Sequence, residues 1–190
     1  MKDNNLKILA IVGMSGSGKS VAINYLTSRG FPKIYLGGMI YREMEKRGIE
    51  RTTDGKSEKA FREMIRETEG TDWVARQAIA ETKDLINAGQ KRIVIDGIYS
   101  WTEYRAFLHE FPGALTLIAI VIPKKLRYKR ISERPNRPFD AQAIRERDYG
   151  EIEHMEKGGP IAMADYFIIN DGSVADLEAN LQKILKEIEF

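Results

Sequence analysis

The sequence predicts an α/β protein: a three-layer α/β/α sandwich around a mainly parallel five-stranded sheet. Three observations predict it. Four near-continuous apolar runs are strand-length and do not alternate with polar residues, as in strands buried on both faces. Stretches with apolar residues at helical spacing separate them. The chain has 190 residues, 43% apolar and 31% charged, the balance of one folded domain and not of a disordered or membrane protein.

The first strand is expected within residues 6–13 (LKILAIVG), a block closed by a glycine. A Gly/Ser-rich loop follows. A helix then runs through VAINYLTSRG, where Val21, Ala22, Tyr25 and Leu26 recur at helical spacing and Gly30 is the stop. A short strand fits KIYLG at residues 33–37, and a helix fits residues 73–87, with Gly89 behind it. The remaining buried strands are KRIVIDGI (91–98), ALTLIAIVIP (114–123, ended by a proline) and ADYFIIND (164–171), and a helix over 174–188 closes the fold. Residues 41–71 break this rhythm, being highly charged and poor in large apolar side chains. A helix there buries only a thin stripe, which marks a small outlying insertion, either a lid of low stability or a solvated helical hairpin. No repeat, low-complexity tract or interdomain linker is present.

Composition removes several function classes. Thirty basic residues against twenty-eight acidic ones leave a formal charge of +2, too balanced to mark a nucleic-acid binder by itself. The absence of cysteine excludes a disulfide scaffold, a Cys-ligated zinc and a thiol nucleophile. His109 and His154, far apart in sequence, argue against a His-based metal site. The first residues carry no signal-peptide pattern, and no apolar run reaches the roughly 18 residues of a membrane span. A cytoplasmic monomer without membrane contact or obligate partner is expected.

The strongest chemical signal is Gly13-Met14-Ser15-Gly16-Ser17-Gly18-Lys19-Ser20, a complete G-x-x-x-x-G-K-[ST] between a buried strand and an amphipathic helix. Glycines at Gly13, Gly16 and Gly18 let the backbone wrap an anion without Cβ clashes. The N–H groups of the loop converge on it at the positive end of the following helix. Lys19 meets the β- and γ-phosphates and the Ser20 hydroxyl meets Mg²⁺. The stretch including Ser15, Ser17 and Val21 is therefore expected to hold a nucleoside triphosphate, read as ATP with Mg²⁺. An N-K-x-D guanine motif is absent.

Asp96 ends the apolar strand Ile93-Val94-Ile95, where a carboxylate holds Mg²⁺ through water; the plainer reading is a turn cap ahead of Gly97. No Glu follows Asp96, so the acidic pair of motor-type ATPases is missing. In the basic stretch at residues 123–137, Arg127, Arg130 and Arg134 fall on one helical face. Planar guanidiniums suit the charge spreading over a transferring phosphoryl group, and Pro135 and Pro138 end the helix in a lid-like loop. A solvated face or a nucleic-acid patch are the alternatives, the latter disfavoured because Tyr128 is the only aromatic. Arg145 and Arg147, two apart, point to different faces, so one is expected to reach the site and the other to pair with an acid. Arg147 is assigned to transfer and Arg145 to the acceptor.

The loop, the chain length and the element order together resemble the P-loop nucleoside monophosphate kinase group, which includes adenylate, cytidylate and dephospho-coenzyme A kinases. The nearest likeness is to poorly characterised adenylate-kinase-related proteins, over nearly the whole chain. Gly38-Met39-Ile40-Tyr41-Arg42 resembles the group's Gly-Asp-Met-Leu-Arg, whose arginine holds the acceptor's phosphate, with Met39 in place of the Asp. Ile95-Asp96-Gly97 resembles its Asp-Gly strand, and Arg130-Ile131-Ser132-Glu133-Arg134 the helix leading into its LID. The segment from Ala164 through Asn170 to Gly172 resembles one whose following loop lies against adenine. The resemblance implies an acceptor-binding insertion near 38–71 and a LID-like segment near 127–148. It departs after Gly97: adenylate kinases continue with Phe-Pro-Arg, a second acceptor clamp, where this chain has Ile98-Tyr99-Ser100-Trp101. Tyr99 and Trp101 then either stack on a base or line an apolar pocket, or pack in the core.

The function expected is transfer of the γ-phosphoryl group of Mg-ATP to a nucleoside monophosphate or related nucleotide. A dephospho-CoA kinase-like activity is one alternative. A catalytically weak ATP-binding switch is another, since the missing second clamp is compatible with lost chemistry. An RNA-associated ATPase is a weaker third. No C-terminal helical domain of a ring ATPase is read.

Overall fold

A computed structural model of the chain describes residues 5–52, 55–135 and 138–190. The first four positions, two inside the 41–71 insertion and the last two of the basic stretch fall outside the described residues. The strands are β1 (Lys7–Val12), β2 (Lys33–Tyr35), β3 (Arg92–Asp96), β4 (Leu115–Val121) and β5 (Tyr166–Ile169). They form one parallel sheet in the order β2-β3-β1-β4-β5. β1 takes the centre because its residues Ile8 to Val12 are buried on both faces, which only a strand flanked by strands and covered by helices can satisfy.

Side-chain alternation splits the core in two. Leu9, Ile11, Val94, Ile118 and Ile120 face α1 (Lys19–Ser28) and α9 (Val174–Glu187). Ile8, Ala10, Ile93, Ile95 and Leu117 face α4 (Trp73–Asn87) and α5 (Trp101–Glu110). This is the expected three-layer sandwich. Register places Asp96 beside both Ile11 and Tyr35, so the C-terminal ends of β1, β2 and β3 open at one edge of the sheet. In parallel α/β sheets that edge is where ligands bind.

Five further helices border that edge: α2 (Leu36–Lys46), α3 (Lys56–Glu69), α6 (Lys124–Ser132), α7 (Ala141–Glu153) and α8 (Gly158–Ala162). The 41–71 segment is less polar in its packing than in its composition. α2 starts directly from β2, and Ile40 and Met44 interlock with Phe61 and Ile65 of α3 in a small core closed by Trp73 and Val74. Each helix contributes an i, i+4 pair, the narrowest stripe that still buries side chains. Among the described residues no helix is long and apolar enough to cross a membrane.

α5 is started by a capping box. Ser100 accepts the Glu103 N–H at 3.1 Å, while the Glu103 carboxylate accepts the N–H groups of Tyr99 at 2.6 Å and Ser100 at 3.1 Å. Burial pushes the Glu103 carboxyl up to about 7, against the two N–H donors and the field of Arg62 and Arg66.

Two tests follow from this packing. Phe61→Ala should cost about 3 kcal/mol in the small core, seen as faster amide exchange confined to α2 and α3. Equal loosening of the sheet would show that the hairpin is no separate unit. Between its ordinary 4.5 and about 7, the folded chain keeps a proton on Glu103 that the unfolded chain has lost. The contribution of Glu103 to stability therefore falls as pH rises through that window. The stability of the parent minus that of Glu103→Gln, from urea midpoints, should be smaller at pH 7 than at pH 5; a constant difference would place the proton elsewhere.

Candidate functional site

Between β1 and α1 the chain makes a loop held from behind. Gly13, Gly16 and Gly18 have φ of +146°, +81° and +105°. A Cβ at Gly13 would stand 2.4 Å from the Ile120 carbonyl oxygen, at Gly16 2.5 Å from Ile131, and at Gly18 2.2 Å from the Asn170 amide nitrogen. That amide donates to the Ser17 carbonyl at 2.7 Å. Backbone conformation and lack of room thus both demand glycine at these positions. α1 begins at Lys19 with no side-chain cap and no acid in its first turn, and the Gly16 and Gly18 amides meet no protein acceptor among the described residues. Amides without acceptors at a helix N-terminus form a site for an anion.

Lys19 folds back over this loop, donating to the carbonyls of Gly13 at 2.8 Å and Met14 at 3.1 Å. Burial, then the charge of Lys157, lowers its ammonium to about 7, opposed by Glu151 and Asp96. A bound phosphate would restore the charge. Asp96 stands at the end of β3 with Lys33 Nζ at 3.9 Å, its carboxyl raised by burial against the pull of Lys33 and Lys19. It accepts no backbone N–H among the described residues, so it does not cap the turn; Gly97, at φ +83°, makes the turn with the Tyr99 ring stacked on it. The Ser20 side chain is exposed in the first turn of α1. Mg²⁺ takes one or two protein groups together with phosphate oxygens and water, and Ser20 with Asp96 offers that donor set. Val21 packs on the core side of α1.

The arginines separate into different roles. α6 ends at Ser132, so Arg134 lies beyond the helix and off the expected row, its guanidinium 5.0 Å from the Phe139 ring. Arg127 is buried: it pairs with Asp148 at 2.5 Å and donates to the Ser15 carbonyl at 3.0 Å, bracing the loop. Arg130 donates to the carbonyls of Asn170 at 2.8 Å and Gly172 at 3.0 Å, which ties α6 to the loop after β5 instead of aiming at a transferred group. Asn170 itself faces the back of the phosphate loop, so its side chain supports that loop. Arg147, half exposed, is the member of its pair that reaches Glu151, with Nε at 3.2 Å. Arg145 is exposed and, among the described residues, forms no ion pair, contrary to the expected one.

The acceptor side also differs from expectation. Arg42 is half exposed and bonds Glu81 of α4 and the Met39 sulfur, in a shallow hollow that includes Trp73 and Gln77. Gly38 is buried beneath the Tyr35 ring, 2.9 Å from where its Cβ would be. Tyr99 lies beside Asp96 with Lys157 Nζ 4.9 Å from its ring, whereas Trp101 packs on Gly159 and Tyr104 as a core residue.

Four residues that sequence reasoning missed stand at this edge. Glu151 and Lys157 pair at 2.9 Å, both almost wholly buried, and their charges reach Lys19. Arg62 and Arg66, one helical turn apart on α3, are half-buried and have no ion pair among the described residues; their fields reach Glu103, and that of Arg62 also Tyr35. The i, i+4 spacing of Arg147 and Glu151 was the one legible hint.

Residues 9–155 match the family model described as an AAA domain, a span that runs from β1 to just beyond α7 and contains the phosphate loop and Asp96. A UPF0200 protein of Thermococcus kodakarensis is 34% identical over 184 residues, 95% of this chain and 97% of that protein. One from Sulfurisphaera tokodaii is 32% identical over 186 residues, 96% of this chain and 98% of that protein. Among solved structures, a Thermus thermophilus protein superposes with a TM-score of 0.65 at 19% identity, covering 96% and 97% of the two chains. Shikimate kinase from Bacteroides thetaiotaomicron gives 0.59 at 14% identity, covering 97% and 99%. Dephospho-CoA kinase from Campylobacter jejuni gives 0.55 at 19% identity, covering 97% and 98%. These structures share the fold that the strand order and the glycine loop establish, and the sequence likeness settles the kinship: this chain belongs to the UPF0200 family, on a P-loop kinase fold.

Proposed function

We propose that this protein is a small-molecule kinase that transfers the γ-phosphoryl group of Mg-ATP to a nucleotide-like, anionic acceptor. The observation that carries the reading is the loop whose Gly16 and Gly18 amides meet no acceptor among the described residues, with Lys19, opening beside Asp96 and the arginines of α3, which have no ion pair among the described residues. The solved kinases of the same fold, with their small-molecule substrates, support it as analogy only.

The acceptor oxygen forms a bond to the γ-phosphorus as the bond from that phosphorus to the β–γ bridging oxygen breaks, and the electron pair leaves on ADP. A phosphate acceptor is already ionised and needs no base; a hydroxyl acceptor must lose its proton. The chain's contribution is alignment and neutralisation of charge. The loop amides and Lys19 grip the β- and γ-phosphates; Ser20 and Asp96 are the groups that would hold Mg²⁺, which when bound would offset charge on the phosphate oxygens. Arg62 and Arg66, which have no ion pair among the described residues, meet the acceptor's anionic group, while Arg42 bonds Glu81 at the surface. Tyr99 closes the floor beside Asp96.

A second reading, an ATP-binding switch without transfer, is favoured by one observation: Lys19 and Arg42 are both satisfied internally. Purified protein given Mg-ATP with AMP, CMP, UMP, dGMP or dephospho-CoA singly separates the two. Acceptor-dependent ADP release marks the kinase; slow acceptor-independent hydrolysis, or none, marks the switch. Lys19→Ala and Gly18→Ala should abolish turnover, the latter because its Cβ would strike Asn170. Arg62→Ala and Arg66→Ala should each raise the acceptor KM about tenfold with kcat little changed, and Arg42→Ala should leave it within about twofold. A tenfold effect at Arg42 with none at Arg62 or Arg66 would move the acceptor to the α2 face.

A further inference from the structure

Charge, more than apolar packing, holds α7 on the phosphate loop. Its buried residues are Ile144, Asp148 and Glu151, two acids out of three. Asp148 is a structural partner, bidentate to the buried guanidinium of Arg127. Glu151 has different surroundings. Its carboxylate accepts the Ser15 N–H at 3.1 Å and the Ser15 hydroxyl at 2.6 Å, and it faces Lys157 Nζ at 2.9 Å and Arg147 Nε at 3.2 Å. Burial alone would raise this carboxyl; the donors together, Lys157 first, hold it at about 2. The Lys19 ammonium lies within the same field.

A loop amide, a hydroxyl and two cations on one anion, with a third cation in range, is the donor set a phosphate oxygen requires. Lys157 accentuates the point. It is 3% exposed, and Glu151 is its only carboxylate partner among the described residues. Glu156, just before it, adopts φ +53°, a left-handed conformation that a non-glycine residue takes at a cost of about 1 kcal/mol or more. Local strain is thus tolerated where the chain turns a lysine inward.

We propose that the Glu151 carboxylate occupies, against Ser15, the place of a triphosphate's terminal phosphate, and that Ser15, Arg147 and Lys157 are handed to that phosphate when it binds. The inference rests on the triphosphate-binding reading of the loop. Removing Glu151 from the buried Lys157 without replacement would leave that charge uncompensated, a costly state, while Arg147 can still reach water. Release of α7 is therefore coupled to arrival of an anion, and the two compete for one set of donors.

Glu151→Gln keeps the shape and removes the charge. By calorimetry at fixed Mg²⁺, this variant should bind a non-hydrolysable ATP analogue about tenfold more tightly than the parent chain, with ADP affinity changed by less than about threefold. Lys157→Met should weaken the triphosphate analogue more than ADP. If Glu151→Gln binds the analogue no more tightly, or gains equally on ADP, Glu151 is a fixed brace for Lys157 and the proposal fails. Should that variant not fold, Glu151→Asp withdraws the carboxylate from Ser15 while leaving every donor in place, and should tighten analogue binding about threefold; no gain there overturns the proposal equally. The readout involves no acceptor. Tightening without acceptor-dependent ADP release would sink the kinase reading and leave this inference standing, while transfer without tightening would do the reverse.

Discussion

The support of the phosphate loop from outside is the constraint on which the rest of the molecule depends. A loop that leaves amides without acceptors is unstable alone, because its backbone would find partners by collapsing. Here the Ile120 carbonyl, the Ile131 side chain and the Asn170 amide stand behind Gly13, Gly16 and Gly18, and Arg127 grips the Ser15 carbonyl. The groups come from β4, α6 and the start of the β5–α9 loop, all distant in sequence from the loop itself. The sheet is in this sense a frame that lets a turn with unsatisfied amides stay open.

Around that turn the protein concentrates charge where water is scarce. Two lysines, the half-buried Lys19 and the buried Lys157, face two acids, Asp96 and Glu151; burial lowers Lys19 to about 7, whereas the donors around Glu151 outweigh burial and hold its carboxyl at about 2. Glu151 has enough donors to overcome desolvation, whereas Lys19 has only carbonyl oxygens and distant carboxylates. A site with this asymmetry accepts an incoming anion by recharging its lysine, and the low local dielectric makes each new contact count for more than it would in water.

The helices around the open edge are built for weaker attachment than the sandwich. α2 and α3 share a core of four principal side chains, and α7 is bound mostly through two carboxylates. Small cores and charge-dependent docking place such elements at the low end of local stability, where ligand-coupled rearrangement is cheapest. The same economy explains why Arg62 and Arg66, which have no ion pair among the described residues, sit on α3 and not on the sheet: cations without partners are tolerated only where a side chain can still reach water.

Much of this architecture is legible in the order of the amino acids. Buried strands report themselves as uninterrupted apolar runs, and the glycine pattern of residues 13–18 is local chemistry, so the sandwich, the helix at 73–87 and the anion loop could be read from the chain alone. The sequence misled where function depends on distant partners. Arg127 read as a site cation until Asp148 enclosed it, the surface pair of Arg42 with Glu81 was not readable, and Glu151, remote from Ser15 along the chain, carried almost no signal at all. Secondary structure and loop conformation follow from neighbouring residues and their dihedral preferences, which the order of amino acids determines directly. Which charge is satisfied and which is left for a ligand is decided by pairings across the fold, and those exist only once burial has brought the elements together.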